Sequence, residues 1–227
     1  MSRLESRLNE VRARIRAAEL QFDRRPGSVR LLAVSKTRTA AEIGECLDLG
    51  QTCFGENQLQ EALQKVTALA SRRPEWHFIG HVQGNKTAHI AEHFAWVHSI
   101  DRLKIARRLN EQRPAHMPPL NICLQVNVSG ETTKSGVTAA ALPDLAAAVA
   151  SLPMLRLRGL MSVPAPSDDF ARQRGPFRKL RALQEELLQT GLELDTLSMG
   201  MTADMEAAIA EGATLVRIGS AIFGPRQ

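Results

Sequence analysis

Short apolar runs of four to seven residues recur along this chain, each followed by a stretch with helical spacing, and that alternation constrains the fold more than any other feature. The runs fall at 30–34, 52–55, 76–80, 95–100, 121–127, 156–162, 194–199 and 214–218. Helical stretches lie between them near 40–49, 57–70, 85–93, 101–111, 138–151, 168–190 and 202–211. A continuous run such as RLLAV reads as a strand buried on both faces, and strands alternating with helices pair in parallel through right-handed crossovers. Eight such units in about 200 residues is the count of a (β/α)8 barrel near the short end of its size range. A doubly wound open sheet is the alternative. Residues 2–22 add an amphipathic helix in front, with Leu4, Leu8, Val11, Ile15 and Leu20 near helical spacing. Thr39 and Glu42 form a capping box for the helix over 40–49, and Gly50 stops it. The Pro-rich stretches at 113–119 and 162–169 fall where loops are due, so residues 1–227 read as one domain, with 1–28 its leading helix and turn.

Composition narrows the class. The 227 residues are 44% hydrophobic and 23% charged, which is globular, and no apolar run reaches the length of a membrane span. The first twenty residues lack the apolar core of a secretory signal, and Glu5, Glu10 and Glu19 argue against a transit peptide, so a cytoplasmic protein is expected. The net charge of +5 suggests nucleic acid until it is located. Residues 1–30 hold eight Arg against four acids, whereas the rest carry 21 basic and 20 acidic side chains. A basic balance confined to one helix and its turn, with no aromatics interleaved, reads as a solvated face and not as a nucleic-acid surface. Cys46, Cys53 and Cys123 form no CxxC pair and read as buried thiols.

In a parallel barrel the working face lies at the C-terminal ends of the strands. The runs end in Ser35-Lys36, Gly55-Glu56-Asn57, Gly80-His81, Asn127, Met161-Ser162, Ser198-Met199-Gly200-Met201 and Arg217-Ile218-Gly219-Ser220. Lys36 directly follows a buried run. Desolvation and neighbouring cations favour a neutral amine, which is the form that attacks a carbonyl, so a Schiff base suits this position. The plainer reading pairs Lys36 with a carboxylate such as Glu56. The last two turns form the second signal, because a phosphate often sits between these loops in such barrels. Ser198 and Gly200 precede a helix capped by Thr202, and Gly219 and Ser220 precede a short terminal helix. Strand alternation puts Arg217 and Gly219 on one face, and an inward Arg needs a partner or a ligand. Lysine, phosphate cup and inward Arg together describe a site for pyridoxal 5'-phosphate.

The strings AVSKT, FGENQLQEALQK, WHFIGHVQGNK, QVNVSGETTKSG, LRGLMSVPA and LSMGMTADMEAAIAEGATLVRIGSAIFG carry this further. They resemble the pyridoxal phosphate homeostasis protein family over residues 30–226. The resemblance implies a barrel like that of alanine racemase without its second, β-rich domain. It also implies that Lys36 binds pyridoxal 5'-phosphate as a Schiff base, that Asn57 and Met199 line the pocket, and that Arg217 faces the pyridine nitrogen. Ser198, Gly219 and Ser220 would bind phosphate, with Gly200, Met161 and His81 bordering the site. Many family members read GPLQSNK where this chain has GHVQGNK, so His81 bears on the pocket's open side, and RIGT where it has RIGS, which keeps the hydroxyl at Ser220. PLP-dependent apoenzymes are the partners it suggests, and a monomer or weak dimer the assembly.

An Arg at the pyridine nitrogen leaves that nitrogen unprotonated and weakens the ring as an electron sink. Racemases with such an Arg compensate with two opposed bases, one a Tyr from the second domain, and this chain has no tyrosine. Buffering and delivery of the cofactor with little or no turnover is the expectation. A small racemase using Lys36 and His81, a Schiff-base aldolase, and a docking module built on the first helix are the alternatives. His89 and His93, spaced i, i+4, read as a solvated face without a third metal ligand. Lys134 reads as an exposed Lys on the working rim, where a second pyridoxal phosphate could attach. Trp76 and Trp96 read as packing residues.

Overall fold

All eight apolar runs form strands: β1 (Arg30–Val34), β2 (Cys53–Glu56), β3 (Glu75–Phe78), β4 (Trp96–Ile100), β5 (Leu120–Gln125), β6 (Leu155–Met161), β7 (Thr196–Ser198) and β8 (Leu215–Ile218). In this computed structural model, which describes residues 2–129 and 135–225, they close in sequence order into a parallel barrel, with β8 returning to β1. Closure removes the open-sheet alternative. The helices are α1 (Arg3–Gln21), α2 (Ala40–Asp48), α3 (Leu59–Ala68), α4 (Thr87–His93), α5 (Leu103–Gln112), α6 (Leu142–Ala150), α7 (Phe170–Gln189), α8 (Met205–Ala210) and α9 (Ser220–Phe223).

Side-chain caps explain three of the helix starts. Ser2 and Glu5 close a capping box on α1, Thr39 and Glu42 another on α2, and Asp169 caps α7 through the Arg172 N–H. Two expectations fail here. Thr202 caps nothing, because α8 begins three residues later, after Asp204, whose carboxylate instead accepts from the Met201 N–H. Leu20 is 69% exposed, while Glu19 is buried and accepts hydrogen bonds from the N–H groups of Gly27 (3.0 Å) and Val29 (2.8 Å). Three of the arginines that make the first thirty residues basic are tied back to the body. Arg12 donates to the Leu49 carbonyl, Arg14 pairs with Glu206, and Arg24 donates to the carbonyls of Ile209 and Ala213.

Strand alternation divides the residues into two sets. Phe54, Trp76, Phe78, Val97, Ile122, Leu197, Met199, Val216 and Ile218 belong to the continuous apolar layer between barrel and helices. Two small clusters, one of Leu32, Cys53, Leu215 and Ile79 and one of Trp96, Cys123, Met161 and Ala95, fill the barrel itself. Trp96 lies flat on His77 inside, at 5.3 Å and 4°, while Trp76 packs outside against Phe54 at 5.9 Å. All three cysteines are free and buried, and burial pushes the Cys46 and Cys123 thiols up to about 12. No helix of the described residues is long and apolar enough to cross a membrane.

Candidate functional site

A cavity of about 460 Å³ opens at the C-terminal ends of the strands. Six of the residues singled out from the sequence line it: Lys36, Asn57, Met161, Arg217, Gly219 and Ser220. Arg38, Gly80 and Thr202 line it as well, and so do Val34, Ile79, Val163 and Met201. A larger hollow of about 570 Å³ lies elsewhere, between β6, the end of α7 and the turn into β7, lined by residues such as Leu155, Leu192 and Asp195 without the mix of amine and hydroxyl groups.

The turn that delivers Lys36 is held from behind. Thr37 adopts a left-handed φ of 64°, and its N–H donates to Glu61 Oε1 at 2.5 Å. Lys65 reaches from α3 to donate to the Ser35 carbonyl (2.7 Å), to Glu56 Oε1 (2.8 Å) and to Glu61 Oε1 (2.5 Å). Ser35 Oγ donates to the same Glu56 oxygen at 2.5 Å. Glu56 thus serves as the partner of Lys65 on the outer face of the barrel, and burial pushes its carboxyl up against the pull of Lys65 and Ser35. The pairing of Glu56 with Lys36 anticipated as the plainer reading gives way to this arrangement.

Arg38 donates to the carbonyls of Gly224 and Pro225, both at 2.8 Å, which ties the Lys36 turn to the segment after α9. Thr202 Oγ1 and Ser220 Oγ stand 3.4 Å apart across the two loops that follow β7 and β8. Arg217 is buried. It donates from Nη1 to Ser198 Oγ (2.8 Å) and the Ser198 carbonyl (2.5 Å), and from Nη2 to the Ser162 carbonyl (2.8 Å). Burial lowers it to about 10, so it stays cationic at neutral pH.

Four other candidate residues do not line the cavity. Met199 alternates outward from Ser198 and is fully buried in the layer under the helices. Gly200 (φ 95°) faces α8, where an added Cβ would stand 2.6 Å from Ala208 Cβ, so its smallness serves helix packing. Ser198 is engaged by Arg217 and by His98 inside the barrel. His81 is exposed and lies 3.2 Å from Arg102. Lys134 lies outside the described residues. His89 and His93 have Glu92 within 4.8 Å, a third potential ligand that the i, i+4 pattern did not show, on an exposed helix face.

Gly80, which the sequence marked only as a strand end, lies hard against the neighbouring loop at the cavity rim. A Cβ there would stand 2.2 Å from the Asn57 carbonyl oxygen. Gly80→Ala is therefore expected to displace Asn57 and cost about 2–4 kcal/mol of stability, measured by urea denaturation. A cost below about 0.5 kcal/mol would show that the two loops move apart freely.

No Asp or Glu is among the described residues lining the cavity. The donor set is a lysine amine, two guanidinium groups, hydroxyls and a carboxamide. That set fits an anionic aromatic aldehyde, with amine for the aldehyde and cations and hydroxyls for the phosphate. The alanine racemase N-terminal domain family matches residues 7–227. The pyridoxal phosphate homeostasis protein of Pseudomonas aeruginosa is 58% identical over 227 residues, covering all of this chain and 97% of that one. The chain belongs to the pyridoxal phosphate homeostasis protein family. Among solved structures, PipY of Synechococcus elongatus with PLP bound is 34% identical, with a TM-score of 0.85 over 98% of this chain and all of that one. Alanine racemase of Corynebacterium glutamicum shares the fold at 18% identity, with a TM-score of 0.72 over 96% of this chain and 62% of that one. Within this homeostasis family the barrel accounts for nearly the full length of the P. aeruginosa relative.

Proposed function

We propose that this chain binds pyridoxal 5'-phosphate in the cavity as a Schiff base on Lys36 and acts in cytoplasmic homeostasis of the cofactor, buffering it and delivering it to PLP-dependent apoenzymes. The observation that carries this reading is a cavity that brings Lys36 and Arg217 together with Asn57, Thr202, Gly219 and Ser220 at the strand ends. The bound group would supply an electron-poor aldehyde conjugated to a pyridine ring. Lys36 holds it through its amine. Thr202, Gly219 and Ser220, on the two loops that follow β7 and β8, bind the phosphate, and Asn57 borders the ring. Arg217, tied down by two carbonyls and a hydroxyl, donates toward the pyridine nitrogen and leaves no proton there.

The same residues support a reading of little or no turnover. His81, the second base of the racemase reading, stands outside the cavity lining beside Arg102, and the chain has no tyrosine to take its place. Exposed Val163 and Met201 border an open mouth, which favours exchange of the occupant over water-excluded carbanion chemistry.

The test is a visible spectrum of the purified protein with pyridoxal 5'-phosphate added, followed by borohydride reduction and peptide mapping. A yellow band with the label on Lys36 is expected. A protein that stays colourless, or a label confined to another lysine, overturns the assignment. Racemisation of added alanine at ordinary enzymatic rates would replace the carrier reading with the racemase.

A further inference from the structure

A file of polar side chains runs along the barrel axis from its N-terminal mouth to the floor of the cavity. Glu75 Oε1 lies 2.7 Å from His77 Nε2, His77 Nδ1 lies 2.8 Å from His98 Nε2, and His98 Nδ1 lies 2.8 Å from Ser198 Oγ. Arg217 completes the file through its 2.8 Å bond to the same Ser198 oxygen. His77, His98 and Ser198 are fully buried, each on a different strand. None of the file's atoms is among the buried side-chain nitrogens and oxygens that lack a partner in the described residues.

The two ends dictate the direction of every bond between them. A guanidinium only donates, so Ser198 Oγ accepts from Arg217 and keeps its one proton available for His98 Nδ1. A ring that accepts at Nδ1 carries its proton on Nε2, and that proton points at His77 Nδ1. His77 repeats the pattern and donates from Nε2 to Glu75, whose ionised carboxylate can only accept. The electrostatics run the same way. The His77 hydrogen bond holds the Glu75 carboxyl down at about 2, and burial lowers both imidazoles, helped at His98 by His77, Arg217 and Arg30. Around the axis stand Arg30 on β1, 2.9 Å from Glu75, Arg158 on β6 with Asp195, and the raised thiols of Cys53 and Cys123.

We infer that Glu75, His77, His98 and Ser198 form a one-way hydrogen-bond relay that positions the Arg217 fork at the cavity floor and keeps both axial imidazoles neutral. The Ser162 carbonyl fixes Nη2, while Ser198 fixes Nη1 through its carbonyl and through the hydroxyl at the end of a polarised chain. The four are positioning residues for Arg217. What Arg217 faces rests on the cofactor reading above, whereas the relay itself is a property of the barrel without ligand.

Histidine side-chain 15N spectra of the cofactor-free protein between about pH 6 and 8 test it directly. His77 and His98 are expected to be neutral and Nε2-protonated throughout. An imidazolium, or an Nδ1–H tautomer at either ring, overturns the relay. Two substitutions separate polarity from packing. In His98→Gln the amide oxygen can accept from Ser198 and the amide nitrogen can donate to His77, whereas His98→Phe can do neither. The expectation is that His98→Gln preserves the His77 tautomer and binds pyridoxal 5'-phosphate within about threefold of the parent, while His98→Phe frees the tautomer and weakens binding about tenfold. Equal losses in both variants, each folded by circular dichroism, overturn the relay. Should His98→Phe fail to fold, Glu75→Leu at the half-exposed mouth serves instead, and an unchanged His77 spectrum there is the overturning result. A parent protein that shows the expected tautomers but binds no pyridoxal 5'-phosphate removes the cofactor reading and leaves the relay standing.

Discussion

Lys36→Ala is expected to be colourless after incubation with pyridoxal 5'-phosphate and to bind it at least about 100-fold more weakly, a loss of about 2.7 kcal/mol. Lys36 leaves the barrel at the first residue past Ser35, and the left-handed turn at Thr37 takes the main chain away from the cavity while the lysine lines it. The remaining groups, Arg217, Thr202, Gly219 and Ser220, still offer hydrogen bonds and positive charge, so residual noncovalent binding through the phosphate is expected. Lys36→Arg keeps the charge without an amine able to condense, and should be as colourless as the alanine variant. Absorbance titration and equilibrium dialysis read both quantities. A yellow Lys36→Ala protein would mean that another amine holds the cofactor.

The second large effect lies on the opposite face of the same turn. Lys65→Met is expected to destabilise the protein by about 3–5 kcal/mol, because it strands the buried Glu56 carboxylate and removes a donor from the Ser35 carbonyl. For a chain of this size that corresponds to a fall in Tm of about 10 °C. The pH dependence has a definite sign. Burial raises the Glu56 carboxyl, and it would rise further without Lys65. The folded state therefore loses stability as pH rises from the ordinary carboxylate range to that raised value and levels off above it, so the deficit of Lys65→Met should shrink as pH falls toward about 5. Glu56→Gln added to Lys65→Met should recover most of the loss, since no buried charge remains. Urea denaturation of the single and double variants at two pH values decides this. A single-variant cost under about 1 kcal/mol would show that water reaches Glu56 readily.

The barrel was legible because every strand is covered on both sides, which turns strands into continuous apolar runs that punctuate the sequence. RLLAV stands out for that reason, and so do the capping boxes at Thr39 and Glu42, where two side chains record a local bond. Residues of the cavity lining were legible where alternation and position agree, as for Lys36 and Arg217. Met199 stands apart from the cavity lining because strand alternation turns it outward from Ser198. Thr202 misled because threonine before a helix looks like a cap, while Asp204 sets where α8 begins. Arg38 and Gly80 escaped notice because they act through closure of the fold, Arg38 on carbonyls nearly two hundred residues away and Gly80 through an approach to Asn57. The axial relay did leave a signal. Glu75, His77, His98, Ser198 and Arg217 are polar side chains on otherwise apolar strands, and together they mark a polar line through a packed interior.

The two tryptophans give the barrel an optical consequence. With no tyrosine in the chain, its near-ultraviolet emission comes almost entirely from two indoles on opposite sides of one wall. Trp96 lies against His77 with the Arg158 guanidinium 4.8 Å above its ring, so its emission should follow the state of the axis. Trp76, wedged against Phe54 under the helices, should follow helix docking instead. Each removed in turn by Trp→Phe, they would let one cuvette watch the interior and the exterior of the same barrel separately.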